Sequence, residues 1–346
     1  MFQEEQTRTL DIQGLSTHHT YAYKYTPATK GLPTFLLLHG FPSTSIIWNE
    51  VADRLRSVGY GVLRPDLLGY GDTSKPTNVH EYSLRTMGAE IVQVLESHEL
   101  ISVIGVGHDW GAVLLSRMWW YYPQNFTGLA FMSVAPGTPQ KMDLDTMSSM
   151  AKERFGYDMG GYWYFLTSQE APCLLNRYVE SATSLFYASD PEIWKTYLLP
   201  KGRLREWLTC NSQHEAGYIS QSDSNIEIHR LLNESFRRGG FEAPLNWYKS
   251  ALYQIDADHE AAIPEDTFAI TRPVTVIAGQ RDAVGCPEIA FDAVDKGRQH
   301  GHLPDATVEI IRNAGHWMML EKPNETTKIL LELADRAEPG VSARCL

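Results

Sequence analysis

The run Gly107-His108-Asp109-Trp110-Gly111 puts an aspartate at the centre of a small-x-nucleophile-x-small pattern, a position usually held by serine. A carboxylate is already ionised at neutral pH and needs no base in order to attack. The ester it forms must then be hydrolysed, and two later residues suit that task. Asp282, in Gln280-Arg281-Asp282, could orient His316, in Asn313-Ala314-Gly315-His316-Trp317, and His316 could activate water against the carbonyl carbon of Asp109. Taken singly, an aspartate or histidine is more often a solvated or core residue than a catalyst. Three in the order nucleophile, acid, histidine, each after a strand-like run, favour the functional reading.

Such residues meet only if the elements around them deliver them to one place. Residues 101–106 are a short apolar, partly β-branched run and residues 112–121 read as a helix, so Asp109 sits in a strand, tight turn, helix context. The flanking glycines allow the sharp turn and leave the central side chain exposed above a parallel sheet. The positive end of the helix beginning near Trp110 should help keep Asp109 ionised. Upstream, residues 8–25 are strand-like, and the apolar run 33–38 ends in His39-Gly40-Phe41-Pro42. A helix near 48–58, a strand at 61–64, a turn-rich segment at 65–72 and helical spacing over 86–98 follow, and another strand lies at 129–134. This alternation predicts a parallel sheet covered on both faces, with ligands at the carboxyl ends of its strands. From about 137 to 262 the strand signal gives way to helical stretches rich in Tyr, Trp and Phe, read as an inserted helical cap. Strands resume at 273–279 and 307–311, just ahead of Asp282 and His316. The expected division is core 1–136, cap 137–262 and core 263–346.

A net charge of −12 over 346 residues speaks against nucleic acid or anionic lipid as a partner and favours a small neutral substrate. Cys173, Cys210, Cys286 and Cys345 lie far apart without metal-ligand spacing, and they read as unpaired thiols in a reducing compartment. The acidic start, Met1-Phe2-Gln3-Glu4-Glu5-Gln6, lacks the features of a secretory signal, and no apolar run approaches the roughly 20 residues of a membrane span. The tail Ala343-Arg344-Cys345-Leu346 fits neither a prenylation nor a peroxisomal signal. A cytoplasmic location is expected, and a homodimer is left open. No metal, nucleotide or flavin motif is present, so no cofactor is expected.

With its nucleophile, acid and histidine in this order, the chain resembles an α/β-hydrolase of the soluble epoxide hydrolase family, fungal type, from His39-Gly40-Phe41-Pro42 through Asp109 to Gly315-His316-Trp317. The resemblance implies an α/β-hydrolase fold, a mostly parallel sheet with helices on both faces and an inserted helical cap. Ala243-Pro244-Leu245-Asn246-Trp247-Tyr248-Lys249 is similar to the family's N-W-Y-R motif, with Lys249 in place of arginine. In that family the motif's tyrosine contacts the epoxide oxygen. A second cap tyrosine maps to Gly161-Tyr162-Trp163-Tyr164-Phe165-Leu166, where Tyr162 is preferred for its Gly-Tyr-Trp setting and Tyr164 stays open. Ordinary packing is the competing reading of these tyrosines.

The implied reaction is hydrolysis of a small apolar epoxide by water. Asp109 attacks an epoxide carbon to give an alkyl ester, the two phenols serve the departing oxygen, and His316 with Asp282 hydrolyses the ester to a vicinal diol. The backbone N–H groups of Phe41 and Trp110 would form the oxyanion hole, Pro42 would hold the loop in shape, and Trp110 and Trp317 would help wall the pocket. His39 and His108 read as loop-stabilising residues. The alternative is a haloalkane or haloacid dehalogenase using the same nucleophile. Such enzymes often bind halide with a Trp after the nucleophile and an Asn in the first loop, where this chain has Trp110 but Phe41. A binding protein that keeps the fold without turnover is a third reading, and a serine esterase fails because the elbow carries no serine.

Overall fold

The structure, a computed structural model, describes residues 5–13, 18–29, 31–139 and 142–338. Met1 to Glu4, Cys345 and the tail motif lie outside the described residues.

Eight strands form one sheet: β1 (Thr7–Gln13), β2 (His18–Thr26), β3 (Thr34–Leu38), β4 (Gly61–Pro65), β5 (Val103–His108), β6 (Phe126–Met132), β7 (Val274–Gly279) and β8 (Ala306–Ile311), in spatial order β1-β2-β4-β3-β5-β6-β7-β8. β2 runs antiparallel to both β1 and β4, and every other pairing is parallel. The single strand-like stretch read at 8–25 is thus two antiparallel strands. β1 is mostly exposed, so its alternation carries little core signal to mark the break. By contrast β3, β4, β5 and β7 are buried throughout, as near-continuous apolar runs between two helical layers should be.

The helices α1 (Asn49–Ser57), α2 (Leu84–Glu96) and α3 (Trp110–Tyr121) lie between the early strands. α2 starts two residues before the predicted point because Ser83 caps it, its hydroxyl accepting from the Thr86 N–H. The elbow is tighter than predicted: β5 extends to His108 and α3 begins at Trp110, so Asp109 alone makes the turn.

Between β6 and β7 no strand occurs among the described residues. The segment instead carries α4 (Leu144–Phe155), α5 (Gly161–Leu166), α6 (Ala171–Arg177), α7 (Val179–Phe186), α8 (Pro191–Ile193), a π-helical turn (Trp194–Leu198), α9 (Arg203–Thr209), α10 (Gly217–Ser220), α11 (Asp223–Gly239), α12 (Asn246–Leu252) and α13 (Ala257–Ala261). α14 (Pro287–Gln299), α15 (Met318–Glu321) and α16 (Pro323–Ala337) complete the chain. Buried hydrogen bonds tie the helical segment to the loops at the carboxyl ends of the strands. Trp247 donates its indole N–H to the Leu68 carbonyl at 2.9 Å, and the Tyr187 hydroxyl donates to the Pro42 carbonyl at 2.6 Å.

Candidate active site

Asp109 adopts φ 52 and ψ −120, a conformation that side-chain-bearing residues avoid and that marks a strained turn. Its neighbours make room for it. A Cβ on Gly40 would lie 2.3 Å from Asp109 Oδ1, and one on Gly107 would lie 2.4 Å from the Gly111 carbonyl. Only glycine lets the His39-Gly40 loop approach this closely, and the Phe41 N–H then donates to Asp109 Oδ1 at 2.8 Å. The Trp110 N–H also donates to the carboxylate. Oδ1 of the carboxylate is therefore engaged by the Phe41 amide.

The expected help from the helix end is present but is outweighed. Burial raises the Asp109 pKa, while His316 and the amides of Phe41 and Trp110 pull it down without cancelling the rise.

His316 Nδ1 lies 2.9 Å from Asp282 Oδ2, both side chains being buried. Burial pushes Asp282 up, but His316 and the Val284 N–H, donating to Oδ1 at 2.8 Å, hold it at about 2. Burial pushes His316 down, yet the Asp282 and Asp109 carboxylates win and raise it above its ordinary value. His108, fully buried and held far below its ordinary pKa by burial, donates from Nε2 to the His316 carbonyl at 3.0 Å. His39 donates from Nδ1 to the Gly40 carbonyl at 3.0 Å and accepts the Leu67 N–H on Nε2 at 2.9 Å. Both histidines thus tie loops together, as their lack of acid partners suggested.

Tyr162 and Tyr248 line one small cavity, of about 30 Å3, with Asp109 and His316. Their rings meet edge to face with centroids 6.0 Å apart, and burial together with the Asp109 charge raises both phenol pKa values, so both remain proton donors. Trp317 lines the same cavity, stacks on Tyr187 at 4.2 Å and donates its indole N–H to the Phe186 carbonyl at 2.8 Å. Trp110 packs edge-on to Tyr248 at 5.2 Å.

Of the two candidate cap tyrosines, Tyr162 lines this cavity, and Tyr164, expected in the substrate pocket, does not. Tyr164 does not line the cavity: its hydroxyl donates to Asp145 and Lys201 lies over its ring at 3.6 Å. Two residues apart on α5 means roughly 200° around the helix, so only one of the pair can face Asp109.

Phe186, Trp194, Leu198 and Val284 also wall the cavity and escaped the sequence reading. Trp194 packs against His316 at 5.1 Å from the π-helical turn, and no motif surrounds it; only the aromatic richness of the segment hinted at such a wall. A larger cleft of about 790 Å3, lined by Trp120, Phe268 and Lys296, contains none of Asp109, Asp282 and His316.

An aspartate on a strained strand-to-helix turn, with a second aspartate and a histidine delivered from later strands of one mostly parallel sheet, is the arrangement of an α/β hydrolase. The chain belongs to the alpha/beta hydrolase fold family, whose profile matches residues 33–323. Among known proteins it is 28% identical to epoxide hydrolase A of Mycobacterium tuberculosis, over 87% of this chain and 90% of that one. It is 25% identical to epoxide hydrolase srdG of Neurospora crassa, over 92% of each. It is also 26% identical to the pig bifunctional epoxide hydrolase 2, over 87% of this chain, but it spans about half of that protein, 51%. In fold it matches epoxide hydrolase A from Mycobacterium thermoresistibile with a TM-score of 0.74 at 23% identity, covering 95% of this chain and 98% of that one. The potato epoxide hydrolase I gives 0.72 at 22% identity, covering 94% and 98%. No helix among the described residues is long and apolar enough to cross a membrane.

Proposed function

We propose that this protein is an epoxide hydrolase that converts an epoxide and water to a vicinal diol through an ester on Asp109. The observation that carries this reading is the pairing of Tyr162 and Tyr248, both neutral donors, in the one cavity that holds an aspartate nucleophile. Residues 137–262 act as a cap that supplies these tyrosines.

In the first step the Asp109 oxygen not held by Phe41 forms a bond to an epoxide carbon as that carbon's bond to the ring oxygen breaks. The ring oxygen takes a proton from one of the phenols. Esterification cancels the Asp109 charge, one of the carboxylate charges that hold a proton on His316. His316 can then release that proton as the phenolate regains one, and it becomes a base. In the second step His316 takes a proton from water as the water attacks the Asp109 carbonyl carbon. The oxygen held by Phe41 N–H carries the developing negative charge, where loss of a single such donor typically costs about 2.7 to 4 kcal/mol. Collapse expels the diol oxygen, which takes the His316 proton, and the proton left on the new Asp109 oxygen passes to His316, restoring both the carboxylate and the imidazolium. The walls supplied by Phe186, Trp194 and Leu198 suit a small apolar epoxide.

The dehalogenase alternative is weaker. Position 41 offers only its backbone N–H, and that group is already engaged with Asp109. A single turnover in heavy-oxygen water, with enzyme in excess over styrene oxide, tests the covalent route. The first diol should carry an unlabelled oxygen from Asp109; label in that first product would overturn it. Halide release from chloroalkanes or fluoroacetate, with no diol from styrene oxide, fatty-acid epoxides or small aliphatic epoxides, would establish the alternative.

A further inference from the structure

Glu321 is a partly buried carboxylate that neither step above uses. It ends α15, and its side chain turns back onto the loop that carries the histidine. The Gly315 N–H donates to Oε2 at 2.9 Å and the Trp317 N–H to Oε1 at 3.3 Å, so one carboxylate gathers the amides on both sides of His316. A Cβ on Gly315 would lie 3.1 Å from Oε1, a separation so tight that the carboxylate would have to give way.

The His316 residue is thereby held at its ring Nδ1, at its carbonyl and through its two neighbours. Asp282 holds the ring, His108 holds the carbonyl, and Glu321 holds the flanking amides. Glu321 forms no ion pair with a lysine or arginine among the described residues, and it closes the otherwise apolar run Trp317-Met318-Met319-Leu320. Burial raises its pKa to about 7, against the pull of the two amides. Packing alone would favour a neutral side chain at such a place.

We propose that Glu321 is a positioning residue for ester hydrolysis: by anchoring the two amides that flank His316, it aims the imidazole at the water that attacks the Asp109 ester. The inference rests on the epoxide-hydrolase reading of the same site. The alkylation step does not depend on this aim, because Asp109 attacks as a carboxylate and the tyrosines supply the proton. Hydrolysis does, because a base displaced by about 1 Å can lose roughly 10²-fold in rate. The Glu321 charge also favours the imidazolium that forms as His316 takes a proton from water.

The test separates the two steps by rapid quench and mass spectrometry of the full chain with styrene oxide, using His316→Gln as the reference in which alkyl-enzyme accumulates. In Glu321→Gln, which keeps the shape but turns an NH2 toward one of the amides, ester formation should stay within about twofold of the parent. Ester hydrolysis should slow about 10- to 100-fold and alkyl-enzyme should build up. Glu321→Asp, with both oxygens retained on a shorter stem, should show the same split at smaller size, and it carries the test if the Gln variant does not fold. Unchanged hydrolysis in the folded variants, or an equal fall in both rate constants, overturns the positioning role while leaving the site's reading intact. Absence of alkyl-enzyme in His316→Gln with every epoxide offered overturns the reading of the site, and the role of Glu321 with it.

Discussion

Asp109 and Tyr248 face each other across one cavity but are held there by different physics. Asp109 is fixed by backbone: a strained turn, glycines on either side, and an amide from the neighbouring loop on its carboxylate. Tyr248 is fixed by side chains, its ring packed edge-on against Phe41, Trp110 and Trp163 at 5.0, 5.2 and 4.7 Å. The first arrangement tolerates almost no change in geometry. The second leaves the cavity wall open to reshaping by substitution of its aromatic residues.

The widest break in this comparison should come from Asp109→Ala, which removes the nucleophile and leaves the tyrosines in place. Diol formation should fall by at least about 10⁴-fold, read by product assay, and no ester should appear by mass spectrometry. On the other side, Tyr248→Phe or Tyr162→Phe removes one of two donors to the departing oxygen. Each should slow ester formation by about 10²-fold in rapid-quench kinetics and spare the hydrolysis of ester already formed.

The pH dependence should report on the backbone-held side. His316 must be neutral to act as a base and its pKa is raised, so hydrolysis is lost as pH falls, by about tenfold per unit below the inflection. Because the ester removes the Asp109 charge, that inflection should lie below the pH at which His316 titrates in the free enzyme by NMR. The smallest effect belongs to Tyr164→Phe, which should change turnover by less than about twofold, since its hydroxyl pairs with Asp145 at an exposed position where such contacts contribute little. A large loss in this variant would place the wrong face of α5 toward the substrate.

The same contrast explains what could be read from the chain. Asp109 and Asp282 stood out because each follows a buried apolar strand, and His316 because it follows the half-buried β8 in a turn marked by glycine and small residues. The parallel core was legible for the same reason, whereas at the sheet edge the mostly exposed β1 left little core signal to mark where it gives way to β2. Tyr248 was legible only through the resemblance carried by Asn246-Trp247-Tyr248. Trp194, Phe186 and Leu198 were not, because their place in the wall is set by packing between elements distant in sequence. The choice between Tyr162 and Tyr164 turned on helical phase, which a short aromatic run bounded by glycine does not define. Glu321 did leave a signal, a lone acid closing the apolar run after His316, and its meaning emerged only with the loop folded back upon it.

On the proposed covalent route, the hydrogen bond from Phe41 to one oxygen of Asp109 would give the enzyme an isotopic memory. Each cycle would give the attacking oxygen to the diol and refill that position from water, while Oδ1, held by the Phe41 amide, would stay where it is. If the carboxylate does not rotate between cycles, one turnover in heavy-oxygen water replaces the whole reactive pool. The second diol would then carry label completely rather than by half, and product isotopes counted cycle by cycle would time the rotation of a single buried carboxylate.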